Sequence, residues 1–141
     1  MPNQFLASFE GISPEEYIHL RVQCGLSTKT IQAATIGLSN SLFIVTLQVP
    51  QTGKNIGMGR LIGDGGCHCQ VADICVLPQY QGKGLGKLIM NHIHHFIQEN
   101  IPDSCYINLI ADGEAYRLYE QYGFKGVYPN SRGMGYVKRS S

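Results

Sequence analysis

The chain has 141 residues, of which 43% are apolar and 15% are charged, and its formal net charge is +1. This composition excludes a disordered chain and a coiled coil, and the length predicts one domain with a hydrophobic core over residues 1–141. The near-zero net charge predicts neither nucleic acid nor an acidic membrane as a partner, because the field of the protein would attract neither.

The first elements of the chain are predicted to be two helices. Ser13 is placed to cap a helix in which Pro14 is the first residue and Glu16 completes a capping box. This helix should end near Cys24, before Gly25. A second, shorter helix should begin at Ser27 or Thr28, and its apolar positions at steps of three and four are Ile31, Ala34 and Leu38.

Three strands are predicted next, over residues 41–49, 56–62 and 68–77. The last two are joined by a Gly-Asp-Gly-Gly sequence at residues 63–66. Asp-Gly is a hairpin signal because both central residues of such a turn must accept positive φ.

The second half of the chain alternates strands with helices. Apolar residues recur from Leu85 to Phe96 at steps of three and four, which predicts a helix packed on a sheet. Asp112 is placed to cap a further helix that ends at Gly123. Strands are predicted over residues 106–110, 124–128 and 135–138. The order of elements predicts an α/β fold with a sheet of mixed direction.

Cysteine usage and the start of the sequence bear on the compartment. The five cysteines are odd in number and lack the spacing of a disulfide framework, so we expect buried thiols. The first residues lack the basic and apolar stretches of a secretory signal, and no apolar run is long enough to span a bilayer. We expect a cytoplasmic protein.

Two groups of residues could be mistaken for metal ligands. On a strand, Cys67 and Cys69 would share one face while His68 points the other way, so the three would not converge. The second group lacks a carboxylate to complete a site and consists of His92, His94 and His95. We expect no metal.

The most informative segment is a glycine-rich turn between the third predicted strand and the long helix. Gly82, Gly84 and Gly86 have no Cβ, so a ligand can approach the backbone closely. The first turn of the helix leaves amide N–H groups unpaired and carries positive partial charge, to which Lys83 and Lys87 add formal charge. The turn therefore predicts a site for a phosphate or diphosphate.

Two common phosphate-binding motifs do not fit this turn. A P-loop needs Ser or Thr after its Gly-Lys pair, whereas Leu88 follows Lys87, and Gln81 stands in place of the first glycine. A dinucleotide fingerprint would need its third glycine at Lys87 and an acidic residue about 20 positions on, after a second strand. The remaining structural alternative is a turn that only permits tight packing of helix on strand.

Two motifs resemble signatures of the GNAT superfamily of N-acetyltransferases. The first, which follows a strand ending in Val76-x-Pro78 and resembles the motif for the diphosphate of acetyl-CoA, is Gln81-x-x-Gly84-x-Gly86. The second, at a comparable distance downstream, is Ala115-x-x-Leu118-Tyr119-Glu120-x-x-Gly123-Phe124. The resemblance implies a single GNAT-like domain with a mixed, mostly antiparallel sheet of about six to seven strands, splayed at the cofactor site and flanked by about four helices.

The same resemblance implies an acyltransferase that uses acetyl-CoA as co-substrate. The residues that would hold its diphosphate are Gln81, Gly82, Lys83, Gly84, Leu85, Gly86 and Lys87. The strand residues Ile74, Cys75 and Val76 would pair their backbone with the pantetheine arm, and an amide near Cys75 or Val76 would polarise the thioester carbonyl. The side chain of Cys75 is expected to be a small apolar filler, because no base is indicated beside it.

Tyr119 matches the family tyrosine that protonates the departing thiolate. A phenol and a thiol have pKa values of about 10 and about 8.5, which are close enough for proton transfer. The alternative is that Tyr119 packs beneath the cofactor arm. Asp112 stands where many members carry an asparagine that contacts the cofactor, but a carboxylate cannot donate as an amide does, so capping a helix is its alternative role.

The attacking amine must lose a proton, because an alkylammonium has a pKa of about 10.4. Asp73, on the strand that would contact the thioester, is the first candidate for the base. Its alternative role is a hydrogen-bonding anchor of the hairpin. Other candidates for the base are Glu16, Asp64 and His68.

The acceptor is expected to be a small-molecule primary amine that attacks directly in a ternary complex. The resemblance places its pocket within residues 17–40 and 128–136. Residues that could form an aromatic, adaptable wall there, or else belong to the core, are Tyr17, Tyr128, Met134 and Tyr136. A non-catalytic acyl-CoA-binding domain is the second hypothesis, and a homodimer through the C-terminal strands is an arrangement that the fold allows.

Overall fold

A computed structural model describes residues 4–139 of the chain. The contacts divide these residues into two compact units, residues 4–109 and residues 110–139. Within the described chain, no helix is both long enough and apolar enough to cross a membrane.

The first unit contains a sheet whose strands lie side by side in chain order. The five strands are β1 (Leu6–Ser8), β2 (Phe43–Gln48), β3 (Asn55–Gly63), β4 (His68–Val76) and β5 (Tyr106–Asn108). Neighbouring strands are antiparallel except for β4 and β5, which are parallel. The predicted α/β fold with a mixed, mostly antiparallel sheet is therefore confirmed, with fewer strands than expected. The sequence did not indicate β1, which has only three residues and begins with an exposed Leu6.

Helix α1 (Pro14–Gln23) begins as predicted. Ser13 Oγ accepts a hydrogen bond from the amide of Glu16 (3.1 Å), which satisfies one of the donors that a first helical turn leaves unpaired. The predicted return bond of a capping box is replaced, because the Glu16 carboxylate accepts from Asn55 Nδ2 of β3 (2.8 Å).

Helix α2 (Ile31–Ser39) begins later than predicted. Thr30 is its N-cap, and the Thr30 hydroxyl accepts from the amide of Ala33 (3.1 Å). The predicted start at Ser27 or Thr28 was wrong because Ser27 belongs to the connection between the helices, where its carbonyl accepts from Arg21 Nε (2.8 Å).

Asp64 organises the turn between β3 and β4. The amides that donate to its Oδ1 are those of Gly66, Cys67 and His68, at 2.8, 2.9 and 3.0 Å. These bonds, that of His68 first, lower the pKa of Asp64 to about 2. Positive φ occurs at Gly63 (136°) and Gly65 (79°) but not at Asp64. The predicted hairpin between β3 and β4 is confirmed. The expectation that both Asp64 and Gly65 take positive φ was wrong for Asp64, because its carboxylate shapes the loop as a hydrogen-bond acceptor.

Helix α3 (Leu85–Asn100) packs against the sheet with the stripe that the sequence predicts. Its buried residues are Leu85, Ile89, Met90 and Ile93. Two glycines of β3 allow the close approach. A Cβ on Gly57 would lie 3.4 Å from Ile89 Cδ1, and a Cβ on Gly59 would lie 2.7 Å from Ile89 Cγ2. This close packing fixes where the N-terminal turn of α3 meets the sheet.

The second unit contains helix α4 (Tyr116–Glu120), which is shorter than predicted. The residue before it, Ala115, donates its amide to the backbone carbonyl of Asp112 (3.0 Å), and no side chain caps the helix. The prediction that the Asp112 side chain caps this helix was therefore wrong.

The two closing strands predicted over residues 124–128 and 135–138 are absent from the structure, which describes both segments in full. Val127, Tyr136 and Val137 are 45%, 93% and 62% exposed. The alternating apolar residues therefore have no buried face, and alternation gives a strand only where a neighbour pairs with its backbone.

Gly59 provides a test of the α3–β3 packing. A methyl group added there would meet Ile74 Cδ1 at 2.6 Å and Ile89 Cγ2 at 2.7 Å. Gly59→Ala should therefore overpack the core and lower the free energy of unfolding by about 1–3 kcal/mol in urea denaturation. Gly126→Ala is the control, because its methyl group would meet no atom within 4 Å, and its stability should stay within about 0.5 kcal/mol of the parent. Equal stabilities of the two variants would contradict the packing.

Candidate functional site

Strand β4 loses its neighbour on one edge part of the way along its length. Its parallel ladder with β5 ends at the pair Gln70 and Asn108, whereas β4 continues to Val76. Among the strands of the described chain, residues 71–76 pair only with β3. This free edge, residues 71–76 of β4, offers backbone hydrogen bonds to an extended ligand that takes the place of a strand.

A glycine-rich turn joins the free edge to α3. A single 3₁₀ turn, Pro78–Tyr80, follows the strand, and Gln81 Nε2 donates back to the carbonyl of Val76 (3.0 Å). The amide of Gln81 donates to the carbonyl of Pro78 (3.2 Å). Gln81 therefore braces the turn, and the amides that can face a ligand begin after it.

The head of α3 has the geometry of an anion site. Gly82 and Gly84 both have φ +79°, the left-handed conformation that favours glycine. Gly84 is the N-cap of α3, and the first helical bond runs from the amide of Leu88 to the carbonyl of Gly84 (3.1 Å). The amides of Leu85 and Gly86 precede that bond and have no acceptor within the helix. Since this turn contains no acidic side chain, a diphosphate fits it.

Asp73 lies in β4 immediately before the predicted pantetheine contacts, and its side chain is 9% exposed. Arg21 Nη1 is 2.5 Å from Oδ1, and Arg60 Nε is 2.7 Å from Oδ2. The Tyr17 hydroxyl also donates to Oδ2 (2.6 Å). Three donors thus occupy most of the roughly four lone-pair positions of a carboxylate. The arrangement favours an anchoring role for Asp73 over that of a base.

Tyr17 is 3% exposed and belongs to this cluster, so the core alternative for it is the one observed. Its hydroxyl also accepts from Arg60 Nη2 (3.4 Å), and its ring centre lies 5.5 Å from Arg60 Cζ. Burial, followed by the hydrogen bond to Asp73, raises the pKa of Tyr17. Tyr17 is therefore a neutral donor at neutral pH and does not form the wall of an acceptor pocket.

The sequence interpretation missed Arg21 and Arg60. Arg21 is 7% exposed, next to the buried Leu20 in α1, and Arg60 lies between two buried residues of β3. A charged side chain on an otherwise apolar face needs a charged partner, because burying a lone charge is costly. An arginine in an apolar position therefore predicts an acidic partner, but the sequence alone does not identify which acidic residue it is.

The thiol of Cys75, which is 8% exposed, interacts with that of Cys24, the C-cap of α1. This interaction, followed by burial, raises the pKa of Cys75, and it lowers the pKa of Cys24. A buried thiol that stays protonated is a poor nucleophile. The pairing favours the interpretation of Cys75 as a filler rather than an acyl carrier.

Tyr119 and Asp112 belong to the second unit. Tyr119 is 8% exposed in α4, and its ring centre is 6.3 Å from that of Phe124. Their roles beside a cofactor stay predictions. The same holds for the second-unit residues of the predicted acceptor wall, which are exposed and are Tyr128, Met134 and Tyr136.

A cleft of about 540 Å³ is lined by the end of α2 and the start of β2. It lies away from the glycine turn. Phe43, at the cleft, pairs with Leu61 of β3, whereas Val76 pairs with Gly57. The two positions are separated by roughly 13 Å along the strand.

The cysteine and histidine groups do not assemble into a metal site. Among residues 4–139, no three His, Cys, Asp or Glu side chains are close enough together to hold an ion. The expectation of buried thiols is confirmed for Cys69 and Cys75 but was wrong for Cys67, which is exposed. The Sγ of Cys69 lies 3.6 Å from that of Cys105.

A comparison with known protein families identifies the class. Residues 39–126, more than half of the chain, match the acetyltransferase (GNAT) domain. The chain therefore belongs to the GNAT family and is an acyltransferase, as its two sequence motifs predict.

Solved structures with the same fold support this assignment. A Staphylococcus aureus protein of unknown function, described as a probable acetyltransferase, is 44% identical with a TM-score of 0.88, over 96% of this chain and 99% of that one. A GNAT-family acetyltransferase from Streptococcus pneumoniae is 25% identical with a TM-score of 0.75, over 96% and 99% of the two chains.

Curated relatives are also N-acetyltransferases by name. The uncharacterized N-acetyltransferase ycf52 of Pyropia yezoensis is 28% identical over 96% of this chain and 78% of its own length. The chloroplastic GCN5-related N-acetyltransferase 2 of Arabidopsis thaliana is 34% identical over 60% of this chain, which spans only 32% of that relative. The cytoplasmic location stays a prediction.

The Cys24–Cys75 pair predicts an order of thiol reactivity. Because the pKa of Cys24 is lowered and that of Cys75 is raised, iodoacetamide should label Cys24 first as the pH increases from 6 to 9. Peptide mass spectrometry measures the two rates. Cys75→Ala removes the interaction that lowers the pKa of Cys24 and should slow the labelling of Cys24 at neutral pH. Labelling of Cys75 at the same rate as Cys24 in the folded protein would contradict the pairing.

Proposed function

We propose that the protein is an N-acetyltransferase that transfers the acetyl group of acetyl-CoA to a small-molecule primary amine. The observation that carries this proposal is the continuity of two features. The free edge of β4 runs directly into a turn with two left-handed glycines at the head of α3. An extended amide-containing arm that ends in a diphosphate has the chemistry to occupy both.

Each part of the site has a proposed role toward that molecule. The amides of Gly82, Gly84, Leu85 and Gly86 would hold the diphosphate, with Lys83 and Lys87 adding positive charge. The backbone of Ile74, Cys75 and Val76 would pair with the pantetheine arm. An amide of this segment would polarise the thioester carbonyl as the acceptor attacks.

The amine attacks as a neutral nucleophile in a ternary complex, and the thiolate that leaves must be protonated. We assign that proton transfer to Tyr119, on the strength of its motif and of the match between phenol and thiol pKa values. Asp112 is assigned a contact with the cofactor as an acceptor. A small acceptor is favoured over a basic peptide because the sequence has no acidic run to bind one.

The second candidate is a domain that binds acyl-CoA without catalysis. Thiol release from acetyl-CoA with a panel of amines, measured beside calorimetric binding of coenzyme A, separates the two. Binding without thiol release for any amine would support the second candidate. Release that depends on an amine supports the enzyme and identifies its acceptor class.

The glycine turn predicts a specific loss of coenzyme A affinity. Gly84→Ala places a Cβ on a residue with φ +79° at the head of α3, and we expect the Kd for coenzyme A to rise at least about tenfold in calorimetry. Gly53→Ala is the matched control, because its φ is +72° and its methyl group would meet no atom within 4 Å. It should show the same local strain with unchanged affinity. Equal affinities in the two variants would remove the turn from the binding site.

Tyr119 predicts a change in the rate of the chemical step. Tyr119→Phe should lower kcat by about 10²–10⁴-fold while the Kd for coenzyme A stays the same. In the parent enzyme, kcat should fall as the pH rises past the pKa of the phenol, and this alkaline limb should disappear in the variant. Tyr116→Phe, in the same helix, is the control and should retain parent activity. An unchanged kcat across the pH range in Tyr119→Phe would exclude it as the acid.

A further inference from the structure

The backbone of β4 is irregular at Asp73. Asp73 has φ +61°, a left-handed conformation that is uncommon for any residue other than glycine. The pairing between β3 and β4 shifts at the same point, because Met58 pairs with Cys75 and Arg60 pairs with Ala72. Two residues of β4, Asp73 and Ile74, therefore oppose the single residue Gly59. This is a β-bulge, which bends a strand and changes the direction of its backbone groups.

The bulge lies within the free edge, at the start of the segment that is proposed to contact the ligand. Upstream of it, β4 pairs with β5 as far as Gln70. Immediately downstream are residues 74–76, the segment whose backbone is proposed to contact the pantetheine arm and the thioester. The direction in which their amides point thus depends on the conformation at Asp73.

The contacts of the Asp73 side chain stabilise this backbone conformation. Its carboxylate is bound by Tyr17 and Arg21 from α1 and by Arg60 from β3, at 2.5–2.7 Å. A residue in a sparsely populated conformation persists when its surroundings determine it strongly. Here three donors from two other elements reach one buried carboxylate, so rotation at Asp73 would break buried charge-assisted bonds.

The two arginines also bind α2 and the segments on either side of it. Arg21 Nε donates to the carbonyl of Ser27 (2.8 Å) and Nη2 donates to its hydroxyl (3.1 Å). Arg60 Nη1 donates to the carbonyl of Gly37 in α2 (3.0 Å) and to the hydroxyl of Ser41 (2.9 Å). The cluster therefore connects the bulge to α1, to the α1–α2 connection and to the end of α2.

We propose that Asp73 is a positioning residue for acyl transfer, and that Tyr17, Arg21 and Arg60 hold it so that the bulge directs the free-edge amides of residues 74–76 at the acyl group. This inference rests on the proposed function for its chemical consequence. The carboxylate acts through the backbone and accepts no proton in the reaction. The diphosphate turn lies outside the cluster, so binding of coenzyme A and acyl transfer should respond differently when the cluster is altered.

Three substitutions of Asp73 separate conformation from charge. Asp73→Ala removes both the anchor and a side chain that tolerates positive φ, and should lower kcat by about 10–100-fold with the Kd for coenzyme A changed less than about threefold. Asp73→Gly restores only the backbone freedom, so its kcat should lie between those of Asp73→Ala and Asp73→Asn. Asp73→Asn retains an acceptor oxygen and tolerance of positive φ, so it should recover the most activity. The losses should be independent of pH.

Amide hydrogen exchange gives a readout that does not require turnover. In Asp73→Ala, the amides of residues 74–76 that donate to β3 should exchange at least about tenfold faster than in the parent protein. Exchange of the amides of β2 should be unchanged, because β2 supplies no side chain that binds Asp73. If no amine gives thiol release in the parent protein, the proposed function fails, and hydrogen exchange alone decides whether Asp73 fixes this segment.

Tyr17→Phe keeps the test valid if Asp73 variants fail to fold, because it removes one donor (2.6 Å from Oδ2) and leaves the ring in the core. It should lower kcat about three- to tenfold, with faster exchange at residues 74–76 and unchanged coenzyme A affinity. Parent-like kcat and parent-like exchange in this variant would overturn the proposal. So would an Asp73→Asn variant as impaired as Asp73→Ala with a loss that grows at low pH, since that pattern identifies a general base.

Discussion

Backbone N–H and C=O groups must be paired or solvated, and within residues 4–139 most of β4 has a partner strand on only one edge. The parallel ladder to β5 stops at Gln70 and Asn108. Residues 71–76 therefore present a row of backbone donors and acceptors along the edge of β4 that faces away from β3. This row could be filled by another strand or by a ligand that imitates one. The chain continues from it into the glycine turn and α3, which places an anion site at the end of the same row. The proposed use of acetyl-CoA follows from that juxtaposition.

The rest of the first unit fixes the free edge of β4 and the glycine turn relative to each other. Gly57 and Gly59 allow α3 to pack closely on β3, which fixes the head of the helix relative to the sheet. On the other side of β4, the buried carboxylate of Asp73 connects α1 and β3 to the bulge that precedes residues 74–76. Breaking one partner of a buried ion pair costs about 3–5 kcal/mol, far more than a surface pair contributes. The site thus depends on a charged cluster for its shape and on apolar packing for its position.

The sequence predicted the parts of this arrangement that are local. Ser13 and Pro14 define the start of α1, the spacing from Leu85 onward defines α3, and Gly82 and Gly84 occupy positive φ as a turn of this kind requires. Contacts between distant residues were not predictable, because Asp73 lies 52 positions from Arg21 and 13 from Arg60. Asp73 accordingly suggested a base in the sequence, whereas its contacts are those of an anchor. The prediction of two C-terminal strands was wrong for a related reason, since alternation in sequence does not supply a partner for pairing.

The central claim is that the head of α3 and the free edge of β4 together bind coenzyme A. A crystal structure of the protein grown with coenzyme A tests it most directly. The account predicts diphosphate oxygens within about 2.7–3.2 Å of the amides of Leu85 and Gly86, and the pantetheine arm paired with the backbone of residues 74–76. Coenzyme A bound elsewhere, or an extended strand of the protein itself lying along residues 71–76, would contradict it.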